Sequence, residues 1–576
     1  MARPFYVTTS IPYVNAAPHL GHALEFVQAD VLARYHRLLG DDTRFLTGTD
    51  DNSLKNVLAA EREGVPVRHL VDRYARAFAG LGTTLHVSTD DFIRTSADPR
   101  HLAGVRKLWH AIDRRGDLYR RSYQGLYCVG CEQFYADDEL LDRRCPDHGT
   151  TPEVVQEENH FFRLSHYQDD LAALIDTGQL RIVPETRRNE VRAFIAHGLE
   201  DFSVSRSRRR ARGWGIEVPG DPDQVMYVWF DALANYITAL GYATDDARYR
   251  RYWVDNPHRV HVIGKGILRF HAVYWPAMLL AAGEPLPDTI FVHGYLTIAG
   301  QKISKSLGNV VDPQVLVDRY GVDPVRYWLL RAVPPTDDAD YTDEKLQRRY
   351  AADLADDLGN LLHRTVSMLH RYRHGVIPGP VVGGQWPVAS PPTRLLPLGE
   401  GRSEGATPLS PGGSGAGGEG KPELQSVAST LAPRLHAALG EDLDPRTALD
   451  AIWELVTCAN RYVEAATPWT LASAERTGDP SVSSGQAAAA KQRLDTVLYN
   501  LAETLRLVAE ALRPLLPTTA ERIATQLSVT LAATSWPDAL TWGRLQPGTT
   551  VPQPHALFPK AGSHSPSPLV GEGVRG

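Results

Sequence analysis

Apolar positions in the first hundred residues follow two alternating periods. PFYVTTSI (residues 4–11) is a β-branched and aromatic run and predicts a strand. HLGHALEFVQADVLARYHRL (19–38) sets Ala23, Phe26, Val27, Ala29, Val31, Leu32 and Tyr35 at helical spacing. Pro18 precedes it, where a missing N–H costs nothing. TRFLTGTD (43–50) predicts a second strand, and a helical stretch follows. Strand–helix–strand is a βαβ unit, so the predicted fold is α/β with a parallel, doubly wound sheet. Residues 115–165, rich in Cys, Tyr, Gly and charge, interrupt it as an insertion. A second α/β block runs through 226–240, 259–282 and 289–298. Helical patterning covers about 340–375, then 422–475 and 487–527. Between them, 377–421 is dense in Gly, Pro and Ser and predicts a flexible linker. The tail after about 545 has the same character and is expected to be structureless.

The composition is that of an ordinary globular chain. Of 576 residues, 43% are hydrophobic and 22% charged, which excludes a disordered or fibrous protein. No uninterrupted apolar stretch of about 18 residues exists, so no membrane span is expected. The N-terminus lacks the apolar core of a secretory signal, and four cysteines are too few for a disulfide framework. Together these lead to an expected cytoplasmic location. A formal charge of −7 argues weakly against nucleic acid, but it averages over the whole chain.

Three of the four cysteines fall in one arrangement. Cys128 and Cys131 form a CxxC, and Cys145 and His148 form a CxxH some dozen residues later. Each pair can bite one edge of a tetrahedron, which suits a single zinc ion. Four protein ligands close the coordination sphere, so the expected zinc is structural. Cys458 stands alone in a helical stretch and reads as a small buried hydrophobe.

Two further motifs point to a nucleotide. His19, Leu20, Gly21 and His22 open the first helix, where unpaired N–H groups and the helix dipole attract phosphate. Gly21 allows a flat base to approach the backbone. Lys302, Ile303, Ser304, Lys305 and Ser306 follow Gly300 in a loop after the last strand. Two lysines and two serines there can grip a triphosphate and neutralise charge in a transition state.

HLGH and KISKS resemble the two signatures of class I aminoacyl-tRNA synthetases. YVTTSIPYVN, YCVGCEQFY, CPDHG, RNEVRAFI, GLEDFSVSR, RGWGIEVPGD, YVWFDALANYI, RFHAVYWPA and SKSLGNVVDP extend the likeness, in order, to the methionyl-tRNA synthetase family of the single-zinc-knuckle type. It covers 4–375 closely and 430–540 more loosely. The resemblance implies a Rossmann-like catalytic domain with an inserted zinc knuckle, followed by an all-α anticodon-binding bundle. It implies activation of methionine by ATP, with Mg2+, to methionyl-adenylate, and transfer to tRNA. His19, His22, Lys302 and Lys305 are then the expected catalytic groups. Gly21, Ser304 and Ser306 are expected to join them in holding ATP, and Lys305 to stabilise the transition state. Ile11, Tyr13, Asp50, Trp229, Ala232, Tyr236, Ile267 and His271 are the expected methionine pocket. Its aromatic and aliphatic walls suit a thioether. Asn360, Arg364, Pro468 and Trp469 are the expected anticodon readers; Arg and Asn offer base-edge hydrogen bonds and Trp a stacking plane.

Two stretches depart from the family pattern. Asp51, Asn52 and Ser53 stand where the family has Glu-His-Gly, and Gly266 replaces an aspartate expected near the ATP ribose. A divergent paralogue with another amino acid or acceptor, and a non-catalytic tRNA-binding protein, are the alternatives. Arg187, Arg188, Arg206, Arg208, Arg209, Arg210 and Arg212 form a segment expected to meet tRNA phosphates. The expected division is a catalytic domain at 1–114 and 226–340, a connective insertion with the knuckle at 115–225, and a helical domain at 341–376 and 422–545. The linker is 377–421 and the tail 546–576. With no further module after the bundle, a monomer is expected.

Overall fold

A computed structural model describes residues 2–128, 133–135, 137–146, 149–303, 309–334, 337–380, 423–476, 483–532 and 535–559. Its centre is a six-stranded parallel sheet. The first strands and helices are β1 (Pro4–Thr9), α1 (Leu20–Leu38), β2 (Asp42–Thr49), α2 (Leu54–Glu63), α3 (Val67–Thr84), β3 (Asp91–Arg94) and α4 (Pro99–Arg114). The insertion supplies β4 (Leu118–Cys128), β5 (Gln133–Tyr135) and β6 (Glu153–Phe162). Next come β7 (Arg181–Val183), β8 (Phe202–Ser203), β9 (Ser205–Ser207), β10 (Glu217–Val218) and β11 (Asp221–Met226). The last strands are β12 (Arg259–Gly264), β13 (Thr289–His293), β14 (Leu296–Ile298), β15 (Gln301–Lys302) and β16 (Ala339–Tyr341).

The central sheet has the order β3-β2-β1-β12-β13-β7. Its inner strands are buried almost throughout, as parallel strands covered on both faces must be. The strand order reverses between β1 and β12, which pair in parallel from Tyr6–Arg259 to Thr9–Val262. A crevice therefore opens beyond the carboxyl ends of these two strands, where ligands of doubly wound sheets bind. The insertion is an antiparallel sheet, β5-β4-β6-β8, with β4 and β6 paired over most of their length.

The run 289–298, expected as one strand, is two. Gly294 separates β13 from β14 because the Asp337 carbonyl packs where a Cβ would stand. β14 then pairs with β15 through a tight turn at Ala299 and Gly300, both with positive φ, and in parallel with β16. One residue beyond β16, at Asp343, the chain enters helical turns that continue to Arg373.

The helical domain packs this rod against helices Glu423–His436, Pro445–Ala466 and Ser484–Leu512. Buried Arg326, paired with Asp30 of α1 at 2.8 Å, donates to the Leu85 and Leu515 carbonyls and so joins this domain to the catalytic one. The tail differs from expectation. Through Pro559 it is packed, not structureless: Ile377 exchanges hydrogen bonds with Gly548 and Thr549, and Val551, Leu557 and Phe558 are buried. Its Pro and Gly residues shape an irregular chain that still carries enough apolar side chains to dock. Most of the expected linker, from residue 381, lies outside the described residues.

Candidate active site and RNA-reading face

The crevice is built first from α1. His19 is its N-cap, and its Nδ1 accepts from the Gly21 N–H at 3.1 Å. His22, one turn on, accepts the His19 backbone N–H on its own Nδ1 at 3.1 Å. Two histidines thus form a reciprocal capping box. A backbone N–H can only donate, so both Nδ1 atoms are unprotonated and each neutral ring carries its proton on Nε2. Burial holds the His22 imidazole well below its ordinary range, with the neighbouring His19 adding to the effect. The rings lie 3.9 Å apart, and the edge of Phe78 closes on His22. A Cβ at Gly21 would sit 3.0 Å from the His19 ring, so glycine there lets the cap close.

Beside this turn, Asp50 follows β2 and bridges to Tyr13. Asp50 is 1% exposed, and its Oδ1 accepts from the Asn52 N–H. The loop it opens is tightly held. Asp51 accepts from Thr49, Ser96 and both Nε and Nη2 of Arg94, all within 3.0 Å. Asn52 donates to Asp231 at 2.7 Å, and Ser53 caps α2.

Across the crevice, the helical segment Val228–Leu233 carries Trp229 and Ala232. Trp229 stacks on Phe270 at 3.9 Å and meets the edges of Tyr13 and His271. The Tyr236 hydroxyl lies 2.7 Å from His271 Nε2, and His271 Nδ1 lies 2.9 Å from the Ile267 carbonyl. The carbonyl only accepts, so the proton sits on Nδ1 and Tyr236 donates. Burial lowers the His271 pKa to about 4 and pushes the Tyr236 phenol well up, so both stay neutral. Ile11 and Ile267 pack at the margin of the same core. Tyr13, Trp229, Tyr236, Ile267 and His271 of the expected pocket are thus joined by direct contacts, and Asp50 reaches them through its bridge to Tyr13.

The far side of the crevice is closed by the loop after β12. Lys265 pairs with Asp338 at 2.7 Å and lies over the Tyr295 ring. A Cβ at Gly266 would stand 1.8 Å from the Tyr295 hydroxyl, so that phenol fills the space a side chain would take. Lys302 stands in β15 opposite Thr297. Ser304, Lys305 and Ser306 lie outside the described residues.

Of the expected zinc ligands, Cys131 and His148 also lie outside the described residues. Cys128 and Cys145 share a small buried cluster with Tyr135. Thr150 joins them: its hydroxyl lies 3.7 Å from Cys128 Sγ, and its carbonyl accepts from the Cys145 N–H. The turn returns at Gly149, with φ 63°. Two thiols from two hairpins are thus gathered in one place, as a closed four-ligand site requires. Among the described residues no three candidate ligands converge.

On the helical domain, Asn360 is exposed and Arg364 donates to Glu464 at 2.7 Å. Glu464 lies just before the turn at Thr467, whose positive φ starts the next helix at Pro468. Trp469, in that first turn, is 44% exposed. The expected readers Arg364, Pro468 and Trp469 are thus gathered at one helix junction. The basic segment is otherwise. Arg206 is buried against Tyr127 and Tyr227 and donates to the Ser203 and Ser205 carbonyls. Arg187, Arg188, Arg208, Arg210 and Arg212 are paired with glutamates.

Comparison with known proteins decides the family. The model of class I tRNA synthetases (M) matches residues 5–150 and 138–366, and that of the anticodon binding domain of methionyl tRNA ligase matches 414–565. The chain belongs to the class I tRNA synthetases of the methionyl type. A methionine–tRNA ligase of Caldanaerobacter subterraneus subsp. tengcongensis is 42% identical over 97% of this chain and 79% of the relative. One of Mycobacterium leprae is 40% identical over 99% and 96%. The solved Mycobacterium tuberculosis methionyl-tRNA synthetase in complex with methionyl-adenylate matches with a TM-score of 0.82 and 38% identity, over 97% of this chain and 100% of that one.

Family membership leaves several groups that the sequence did not single out. Phe270 is the second slice of the Trp229 stack, Lys55 lies over the Tyr13 ring at 4.4 Å, and Arg94 neutralises Asp51. Each precedes or follows a named motif, but nothing in the local pattern marks its direction.

Proposed function

We propose that the crevice between β1 and β12 activates methionine with ATP and passes the product to tRNA. The chain is a ligase of the aminoacyl-tRNA synthetase class. The carrying observation is that the two-histidine cap opens α1 directly after β1, while the Asp50 bridge to Tyr13 joins the end of β2 to the Tyr13–Trp229–His271 contacts. The neutral histidines offer N–H groups to phosphate without placing an imidazolium beside it, and the α1 dipole adds to the attraction. The Trp229–Tyr236–His271 box takes the thioether, while Asp50 holds the substrate ammonium. Attack of the methionine carboxylate on the α-phosphorus of ATP forms the adenylate and releases pyrophosphate. Lys302 and Lys305 then neutralise charge on the departing phosphates. The reaction needs no covalent nucleophile; it needs two substrates held in line.

The junction of Arg364 with Pro468 and Trp469, together with Asn360, reads the anticodon. Cys128, Cys131, Cys145 and His148 would hold one structural zinc ion, which ties the turn at Cys145 to the strand end at Cys128. The domain limits follow the same division, with the helical domain extended to take in 546–559.

A panel of amino acids in ATP–pyrophosphate exchange, followed by charging of purified tRNAs, tests the activity. Exchange with methionine and charging of its tRNA are expected; exchange only with another amino acid overturns the reading. For zinc, Cys145→Ser is expected to lower the metal content from one ion per chain to near none. An unchanged content removes the four-ligand assignment.

A further inference from the structure

The loop that carries Asp50 and the helical segment that carries Trp229 are separate in sequence. One side chain joins them directly. Asn52 Nδ2 donates to Asp231 Oδ2 at 2.7 Å. The other oxygen of Asp231 lies 2.5 Å from His101 Nε2, and His101 Nδ1 lies 2.9 Å from Thr238 Oγ1. Asp231, His101 and Thr238 are all buried. Asp231 follows Trp229 and Phe230 and precedes Ala232 and Leu233 in one short helical segment, so a bond to its carboxylate holds that segment. Asn52 is equally constrained, because its own N–H is held by Asp50 Oδ1 at 3.2 Å.

We infer that Asn52 is a positioning residue that sets the methionine side of the site, by locking the Asp50 loop to the Trp229 segment through Asp231. This rests on the methionine-activation reading. Asn suits the position because its amide supplies a donor to Asp231 without charge, and Asp231 already spends its second oxygen on His101. An acceptor at 52 would set two carboxylates against each other with Asp50 close by. The chain of bonds runs from Asn52 through Asp231 to His101 and Thr238, in the segment that also carries Trp229 and Tyr236, so its expected effect is on methionine rather than ATP.

Exchange kinetics of the full chain between pH 6 and 8 test it. Asn52→Asp is expected to raise the methionine KM about tenfold or more at pH 8 and leave the ATP KM within about twofold. The rise is expected to shrink toward pH 6, as the introduced carboxyl, set between the Asp231 and Asp50 carboxylates with His101 beyond, takes up a proton. Asn52→His, which keeps a donor, is expected to stay within about threefold of wild type. An unchanged methionine KM in Asn52→Asp overturns the inference. So does a parallel rise in both KM values with no recovery at low pH, which is the signature of general damage. If Asn52→Asp does not fold, Asn52→Ser removes the donor without adding charge, and the same split between the two KM values decides. A wild type active only with another amino acid overturns the methionine reading instead, and the split is then read with that amino acid.

Discussion

The proposed methionine pocket and the proposed RNA-reading junction handle aromatic side chains in opposite ways. In the pocket, Trp229 is stacked on Phe270 before any ligand arrives, and Tyr236 and His271 already hold each other. At the junction, Trp469 stands in solvent and Asn360 is exposed. A small flexible substrate offers few contacts, so its site must be ordered in advance and dry. A nucleotide base brings its own large face, and the protein needs only to hold out a plane for it. Rigidity therefore sits where the ligand is small, and exposure where it is large.

The sharpest break between the two regions is expected from Lys305→Ala. It should cut exchange about a thousandfold, or about 4 kcal/mol, and leave tRNA binding by filter retention nearly unchanged. Equal loss of both would deny the separation. Next is the pocket's dependence on a neutral His271. Its pKa is held at about 4 against an ordinary 6.5, so the unfolded chain binds this proton more readily than the folded one. The stabilisation is full above about pH 6.5 and is lost as pH falls toward 4, in all about 3 kcal/mol. Melting curves of wild type and His271→Gln are expected to converge across that window, and parallel curves would contradict it.

Smaller effects sharpen the comparison from the RNA side. Trp469→Ala is expected to lower kcat/KM for tRNA by about 1–3 kcal/mol, the worth of one stacked base, while exchange stays at wild-type rate. Loss of exchange would show that the face is not independent. Smallest is Tyr295→Phe. Removing the hydroxyl that fills the space over Gly266 is expected to raise the ATP KM by a factor equivalent to about 1 kcal/mol. The methionine KM should hold.

Much of this was legible along the chain. HLGH declares a helix start, and the alternation of strands and helices declares the sheet, because both are local patterns with local causes. The partners of the two departures were not legible. Asn52 finds its acceptor at Asp231 and Gly266 finds its filler at Tyr295, contacts between segments far apart in sequence that only the assembled sheet brings together. Composition misled twice. The Pro- and Gly-rich segment after 545 docks through Val551, Leu557 and Phe558, since three apolar anchors outweigh irregular backbone. In the arginine-rich segment Arg208, Arg210 and Arg212 meet glutamates from other elements, while Arg187 and Arg188 meet glutamates of their own helix, and charge counted along a sequence sees only the second kind.

The hairpin that leads into KISKS rests in parallel on β16, and one residue beyond β16 begins the helical rod bearing Asn360 and Arg364. At 1.5 Å per residue the rod carries Arg364 about 30 Å from its root. Such an arm springs from the strand that pairs with β14. A tilt of about two degrees there moves the end that carries Arg364 by about 1 Å, so a small rotation at the root is magnified along the rod.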